Sequence, residues 1–138
     1  MITDEQKKKL IEEVKKALNN PYPKDTQNVY AAAVLTNKGN IYSSAQYFSD
    51  TLSLTLHCEQ SALAHAATHG ESNIVAIITT TNIKLNKGEF AWSCNMCKQL
   101  LYESQRRSKI PMIVMSVNNY DEIKELKLDD MISYPWPL

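Results

Sequence analysis

HCEQSALAHAATHGESNIVAIITTT, residues 57–81, changes its hydrophobic period halfway along. From about His57 to His69 the apolar residues Leu63, Ala66 and Ala67 mark one face of a helix. Gly70 stops that helix, because glycine accepts the left-handed conformation in which helices end. Asn73 to Thr81 (NIVAIITTT) is then β-branched almost throughout, the composition of a buried strand.

The flanking segments repeat the alternation. Upstream, Val29 to Thr36 (VYAAAVLT) is a short apolar run, Asn37-Lys38-Gly39-Asn40 is a turn, and Ile41 to Phe48 reads as a second strand, so the two form a hairpin. Before them, Thr3 is placed to cap a helix with a stripe at Leu10, Ile11, Val14, Lys15 and Leu18, ending near Asn19, Asn20 and Pro21. Downstream, Cys94 to about Arg107 suits a helix with Leu100 and Leu101 turned inward. Pro111 to Val117 is another buried strand, and Ile123 to Leu128 alternates like a last edge strand. Tyr134-Pro135-Trp136-Pro137-Leu138 is irregular and aromatic. The order helix, hairpin, helix, strand, helix, strand, strand predicts an α/β fold. Its form is a single three-layer α/β/α sandwich over residues 1–138, around a mixed sheet of about five strands.

Acidic and basic residues balance at 15 each in 138 residues, so formal net charge is zero. That argues against bulk nucleic acid or an anionic membrane as partner, and leaves room for a small charged ligand. No apolar run reaches the length of a membrane span. The first residues, MITDEQKKKLIEEVKKAL, are charged and helix-periodic without a secretory apolar core, so the expected compartment is the cytoplasm. The three cysteines, Cys58, Cys94 and Cys97, include one C-x-x-C pair, which reads as metal or redox chemistry rather than a disulfide framework.

Two segments carry chemistry: Leu56-His57-Cys58-Glu59-Gln60 and Ser93-Cys94-Asn95-Met96-Cys97-Lys98-Gln99. A catalytic zinc takes three protein ligands and keeps one position open for water. His57, Cys94 and Cys97 supply that set, one zinc per chain, and two of them begin expected helices, where the dipole favours a thiolate. Glu59, two residues past His57, is placed to stand beside the metal and move protons. This H-x-E and C-x-x-C pairing is the signature of zinc deaminases.

At these residues the chain resembles the free-nucleoside cytidine deaminase family. HCEQSALAHAATHGE is similar to that family's H/C-A-E helix, SCNMCKQLL to its P-C-x-x-C-R-Q segment, and VYAAAVLTNKGNIY to its hairpin. The likeness runs from about Pro21 to Ser116. It implies hydrolytic deamination of a cytosine-containing nucleoside, cytidine, deoxycytidine or a modified analogue, in pyrimidine salvage or analogue detoxification. Glu59 is the implied proton shuttle, and backbone N–H groups near Cys58 and Cys94 are the implied partners of developing charge. The likeness also implies a homotetramer, with a dimer as second choice, and raises the reach of Tyr134 and Trp136 into a neighbour's site.

Three features depart from the family pattern: the ribose-gripping N-x-E is replaced by Gln46-Tyr47-Phe48, the proline before the first cysteine is Ser93, and a pocket Phe has no counterpart near Gln27. Gln60 stands where the family's three-cysteine sites carry Arg. Gln60 suits a neutral His57 ligand, since zinc with two thiolates needs no further counter-charge. The expected substrate contacts are therefore Gln46, Phe48, Cys58 and Ser93. Other amino-heterocycles, and adenosine in RNA (from the C-N-M-C echo of tRNA adenosine deaminases), stay open as substrates. So does a different class, a zinc-stabilised binding module without turnover. Cys58 reads as a packed residue or a third thiolate, and His65 with His69, at i and i+4, as solvated histidines or a second metal pair.

Overall fold

Alternation along the central strands builds two cores, one on each side of a single sheet. The computed structural model describes residues 2–138. The strands are β1 (Tyr30–Thr36), β2 (Ile41–Ala45), β3 (Ile74–Thr81), β4 (Ile113–Val117) and β5 (Ile123–Lys127), in the spatial order β2-β1-β3-β4-β5. Only β3 and β4 run parallel; the other pairs are antiparallel, so the sheet is mixed. The helices are α1 (Asp4–Ala17), α2 (Cys58–Thr68) and α3 (Asn95–Ser108).

Side chains on a strand point alternately to opposite faces. Ala32 and Val34 of β1 and Ile77 of β3 face one side, where they pack with Cys58, Ala62 and Ala66 of α2 and Leu101 of α3. Ala31, Ala33 and Leu35, with Ala76 and Ile78, face the other side and pack with Leu10, Val14 and Ala17 of α1. The result is the expected α/β/α sandwich. Alanines on β1 and α2 let helix and sheet approach closely.

Thr3 caps α1 as expected. Its hydroxyl accepts the Gln6 N–H at 3.1 Å, and Gln6 Oε1 accepts the Thr3 N–H at 3.0 Å. Four details differ from the sequence reading, the first being that Ala67 of α2 is exposed and Ala62 is buried with Ala66 instead. Lys15 is exposed and pairs with Asp121, and Ala17 takes the buried place in the stripe. Leu101 is buried, whereas Leu100 is only half-buried. Strand β2 ends at Ala45 instead of Phe48: the Gln46 N–H still donates to the Tyr30 carbonyl at 3.1 Å, but the Tyr30 N–H turns to the Gln46 side chain, and Tyr47 and Phe48 leave the ladder. Tyr47 there exchanges N–H···O bonds with Leu56 (3.0 and 2.8 Å), and the Phe48 N–H donates to the Tyr22 carbonyl at 2.7 Å.

Gly70, at φ +76°, ends α2 in a left-handed turn. The Gly70 N–H donates to the Ala67 carbonyl and the Glu71 N–H to the Ala66 carbonyl, the double bond of a Schellman end. That turn aims Glu71 at the hairpin. Its carboxylate accepts from the Thr36 hydroxyl (2.7 Å), the Asn40 amide (3.0 and 2.9 Å) and the Tyr42 hydroxyl. Those donors, the Thr36 hydroxyl first, hold the Glu71 carboxyl below its ordinary value of 4.5, with Lys38 adding to the effect. A depressed carboxyl adds stability that is fully present above its unfolded value and is lost as pH falls through its folded value. Wild type therefore exceeds Glu71→Gln in stability most at neutral pH, and the gap narrows as pH falls below about 4.5. Urea unfolding of both proteins at neutral pH and in acid checks this. A gap that widens in acid would refute it. His65 meets the Tyr42 ring edge-on and His69 stacks on it, in both proteins.

Candidate active site and metal centre

Two helix starts meet at one point. His57 is the N-cap of α2 and Cys94 the N-cap of α3. The His57 N–H donates to Gln60 Oε1 at 2.8 Å, so Gln60 closes the first turn of α2 and fixes the backbone that carries the imidazole. Across the gap, Cys97 lies one turn into α3, beneath Cys94. Loop 82–93 is drawn down to the sheet where the Ala91 carbonyl accepts the Thr79 hydroxyl (2.6 Å) and the Ser116 hydroxyl (3.1 Å). These bonds deliver Cys94 to the level of His57.

Among the described residues, His57, Cys94 and Cys97 form the group of three metal-ligand side chains that converge, with ligand atoms within 4.8 Å of one another. His57 Nδ1 lies 3.4 Å from Cys94 Sγ and 3.3 Å from Cys97 Sγ. A tetrahedral zinc with ordinary Zn–N and Zn–S bonds separates such atoms by about 3.5 Å. The donor set fits zinc in type as well as spacing, and it supplies three ligands rather than four. Burial first, then the nearby Glu59 carboxylate, pushes the Cys97 thiol up. A divalent cation between the sulfurs reverses that balance and favours thiolates.

Glu59 is buried at 6 % exposure. The Cys58 thiol donates to its Oε1 at 3.0 Å. Burial, and then the Glu59 charge, pushes the Cys58 thiol up, so it stays a neutral donor. Cys58 is thus packed against the carboxylate and lies outside the converging metal group.

A cavity of about 460 Å³ stands over this centre. His57, Cys58, Glu59 and Cys94 line it together with Gln46 and Phe48, and Cys97 is buried below. Its size suits a small molecule. Ser93, expected among the contacts, is itself buried, and Trp92 and Cys94 form the wall there. Tyr30, Leu52, Thr55 and Thr79 also line the cavity and were not foreseen. The one signal for Thr79 was a run of three threonines ending an otherwise apolar strand.

His65 and His69 are exposed, and their Nδ1 atoms bond the Ser43 and His65 carbonyls at 3.1 and 2.9 Å. The tail lies along α3, where Gln99 donates to the Trp136 carbonyl (2.8 Å), Tyr102 to that of Pro137 and Arg106 to that of Leu138. Those bonds hold the tail backbone and leave Tyr134 and Trp136 exposed.

Comparison with known proteins agrees with this geometry. Residues 4–114 match the family described as the cytidine and deoxycytidylate deaminase zinc-binding region. Among solved structures, the cytidine deaminase from Burkholderia pseudomallei superposes with TM-score 0.80 at 20 % identity, covering 98 % of this chain and 100 % of its own. The cytidine deaminase from Mycobacterium tuberculosis gives 0.75 at 17 % identity, with 99 % and 100 % covered. That from Bacillus anthracis gives 0.67 at 22 % identity, with 94 % and 88 % covered. At such identities the likeness shows the fold. No curated protein matches the chain in sequence. No helix among the described residues is long and apolar enough to cross a membrane.

Proposed function

This chain belongs to the cytidine and deoxycytidylate deaminase zinc-binding family, and from that premise we propose that it hydrolyses the exocyclic amine of a cytosine-containing nucleoside or close analogue, giving the uracil form and ammonia. The observation that carries this reading is the convergence of His57, Cys94 and Cys97 beside a buried carboxylate at the wall of a small-molecule cavity.

His57 Nδ1 and the sulfurs of Cys94 and Cys97 would hold one zinc per chain. Bound there, zinc supplies a water ionised at neutral pH and a Lewis acid. Glu59 does the proton work. It accepts a proton from the attacking water and delivers it to the ring nitrogen next to the amine-bearing carbon. It then carries the second water proton to the amine, which leaves as ammonia while the oxygen stays on the ring. The Cys58 thiol holds one carboxylate oxygen, so Glu59 meets the substrate in a set orientation. Phe48, Trp92 and Tyr30 give the cavity aromatic surface suited to a flat ring. Backbone N–H groups at the starts of α2 and α3, near Cys58 and Cys94, face developing negative charge with their helix dipoles. Ser93 is buried next to Cys94 and is not part of the cavity wall, so its expected contact with substrate is not part of this reading.

The same reading makes the protein a homo-oligomer, a tetramer before a dimer, acting in the cytoplasm in pyrimidine salvage. Exposed Leu52, Leu54, Trp136 and Leu138 support self-association, since such surface favours burial. A sedimentation mass of a single chain would overturn it. The reaction is tested by ammonia release from cytidine, deoxycytidine, modified cytosines and an adenosine-containing RNA stem. Release from at least one cytosine compound and none from the RNA is expected. Release from the RNA alone would move the substrate class.

A further inference from the structure

His65 and His69 are two of the three histidines in the chain, and the chemistry above uses neither. They stand one turn apart at the end of α2, and both are exposed. His65 Nδ1 lies 3.1 Å from the Ser43 carbonyl oxygen, and His69 Nδ1 lies 2.9 Å from that of His65. A carbonyl oxygen can only accept, so each Nδ1 carries its ring's proton. The lone pair of each neutral imidazole is therefore on Nε2. Neither Nε2 has a hydrogen-bond partner among the described residues. Metal-binding histidines are held in the same way, with the other ring N–H donated to a carbonyl or carboxylate.

The spacing of the rings is a second, independent feature. Their centroids are 5.1 Å apart, with the planes at 61°. Two imidazoles bound to one ion at about 2.0–2.1 Å place their ring centres about 4.5 Å apart for a right angle at the ion and about 5.2 Å apart for a tetrahedral one. Tyr42 completes a triangle of rings. It stacks on His69 at 4.8 Å, meets His65 edge-on at 5.2 Å, and donates its hydroxyl to Glu71. The imidazoles are thus ordered before an ion arrives, which lowers the entropic cost of binding. The negative end of the α2 dipole favours a cation at this place.

We propose that His65 and His69 form a second metal site, apart from His57, Cys94 and Cys97. It takes a late first-row divalent cation, copper(II) ahead of nickel(II), through the two Nε2 atoms, with water in the other positions. Imidazole suits these ions, and nitrogen sites rank copper above nickel and zinc. Two neutral ligands hold zinc far less tightly than an imidazole with two thiolates, so one equivalent of zinc fills the three-ligand centre alone. An ion on both rings ties the last turn of α2 to β2, where His65 already bonds Ser43.

The zinc-loaded full chain is titrated with nickel(II) by calorimetry and with copper(II) by electron paramagnetic resonance. One nickel per chain is expected, together with a copper spectrum that shows nitrogen ligands and no sulfur. His65→Ala and His69→Ala, both on the surface, each weaken nickel binding by about tenfold or more, since losing even a supporting partner of a ligand costs that much. Zinc content and ammonia release stay at wild-type levels in both. Nickel raises the melting temperature of the wild type and leaves that of either variant unmoved. Nickel affinity unchanged in both variants, no nickel binding at all, or copper held by sulfur in place of nitrogen would each overturn the proposal. The pair shares no residue with the zinc centre. Failure of ammonia release therefore counts against the deaminase reading alone and leaves the nickel result standing.

Discussion

Glu59→Gln folds, keeps its zinc and loses roughly 10²–10⁴-fold in deamination rate, the usual contribution of a positioned general acid–base. The substitution is nearly isosteric, at a residue only 6 % exposed, so packing barely changes. The amide oxygen still accepts from the Cys58 thiol. Glu59 is not one of the three converging ligands, and His57 Nδ1 keeps its spacing to the Cys94 and Cys97 sulfurs, so the metal group stays assembled. What disappears is the carboxylate's capacity to take and return a proton. Steady-state ammonia release, zinc content by mass spectrometry and circular dichroism check the three parts together. Unchanged turnover would remove Glu59 from the chemistry. A wild type that turns over no amino-heterocycle would favour a zinc-stabilised binding module.

Cys97→Ala has its largest effect on the metal. Cys97 is 1 % exposed and its sulfur is 3.3 Å from His57 Nδ1, so its loss leaves a two-ligand site joining α2 to α3. Zinc content is expected to fall from about one per chain to near zero, and activity with it. Stability follows by mass action. Free zinc at a thousandfold excess over its dissociation constant adds about 4 kcal/mol to the folded wild type. The variant loses that increment, so its thermal unfolding no longer responds to zinc or chelator. The sheet and both cores remain, because neither is built on the ligand. Thermal melts with and without chelator measure the difference. A variant that still melts higher with zinc would place the metal elsewhere.

The architecture was legible where hydrophobic period changes sharply. The break at Gly70 separates α2 from β3, and the Gly39 turn joins β1 to β2. The metal group was legible because imidazole and thiols are few here, and because H-x-E and C-x-x-C each sit at a helix start. Other features depend on contacts distant in sequence. Alternation carried the second strand through Phe48, but Gln46 spends its side chain on the Tyr30 N–H and Tyr47 turns to Leu56, which no local pattern records. Thr79 looks like ordinary strand composition until the Ala91 carbonyl arrives from a loop twelve residues on. Glu71 reads as the residue after a helix stop, and only the Schellman turn shows it collecting three donors from the hairpin. Gln99, Tyr102 and Arg106 hold the tail through carbonyls far along the chain, which no local pattern records.

Zinc K-edge X-ray absorption on the loaded protein tests the centre most directly. The expected spectrum has two sulfur neighbours and two lighter ones, an imidazole nitrogen and an exchangeable oxygen that a soaked azide replaces. Three sulfurs, which would bring in Cys58, or a closed shell that azide leaves unchanged, would contradict the account.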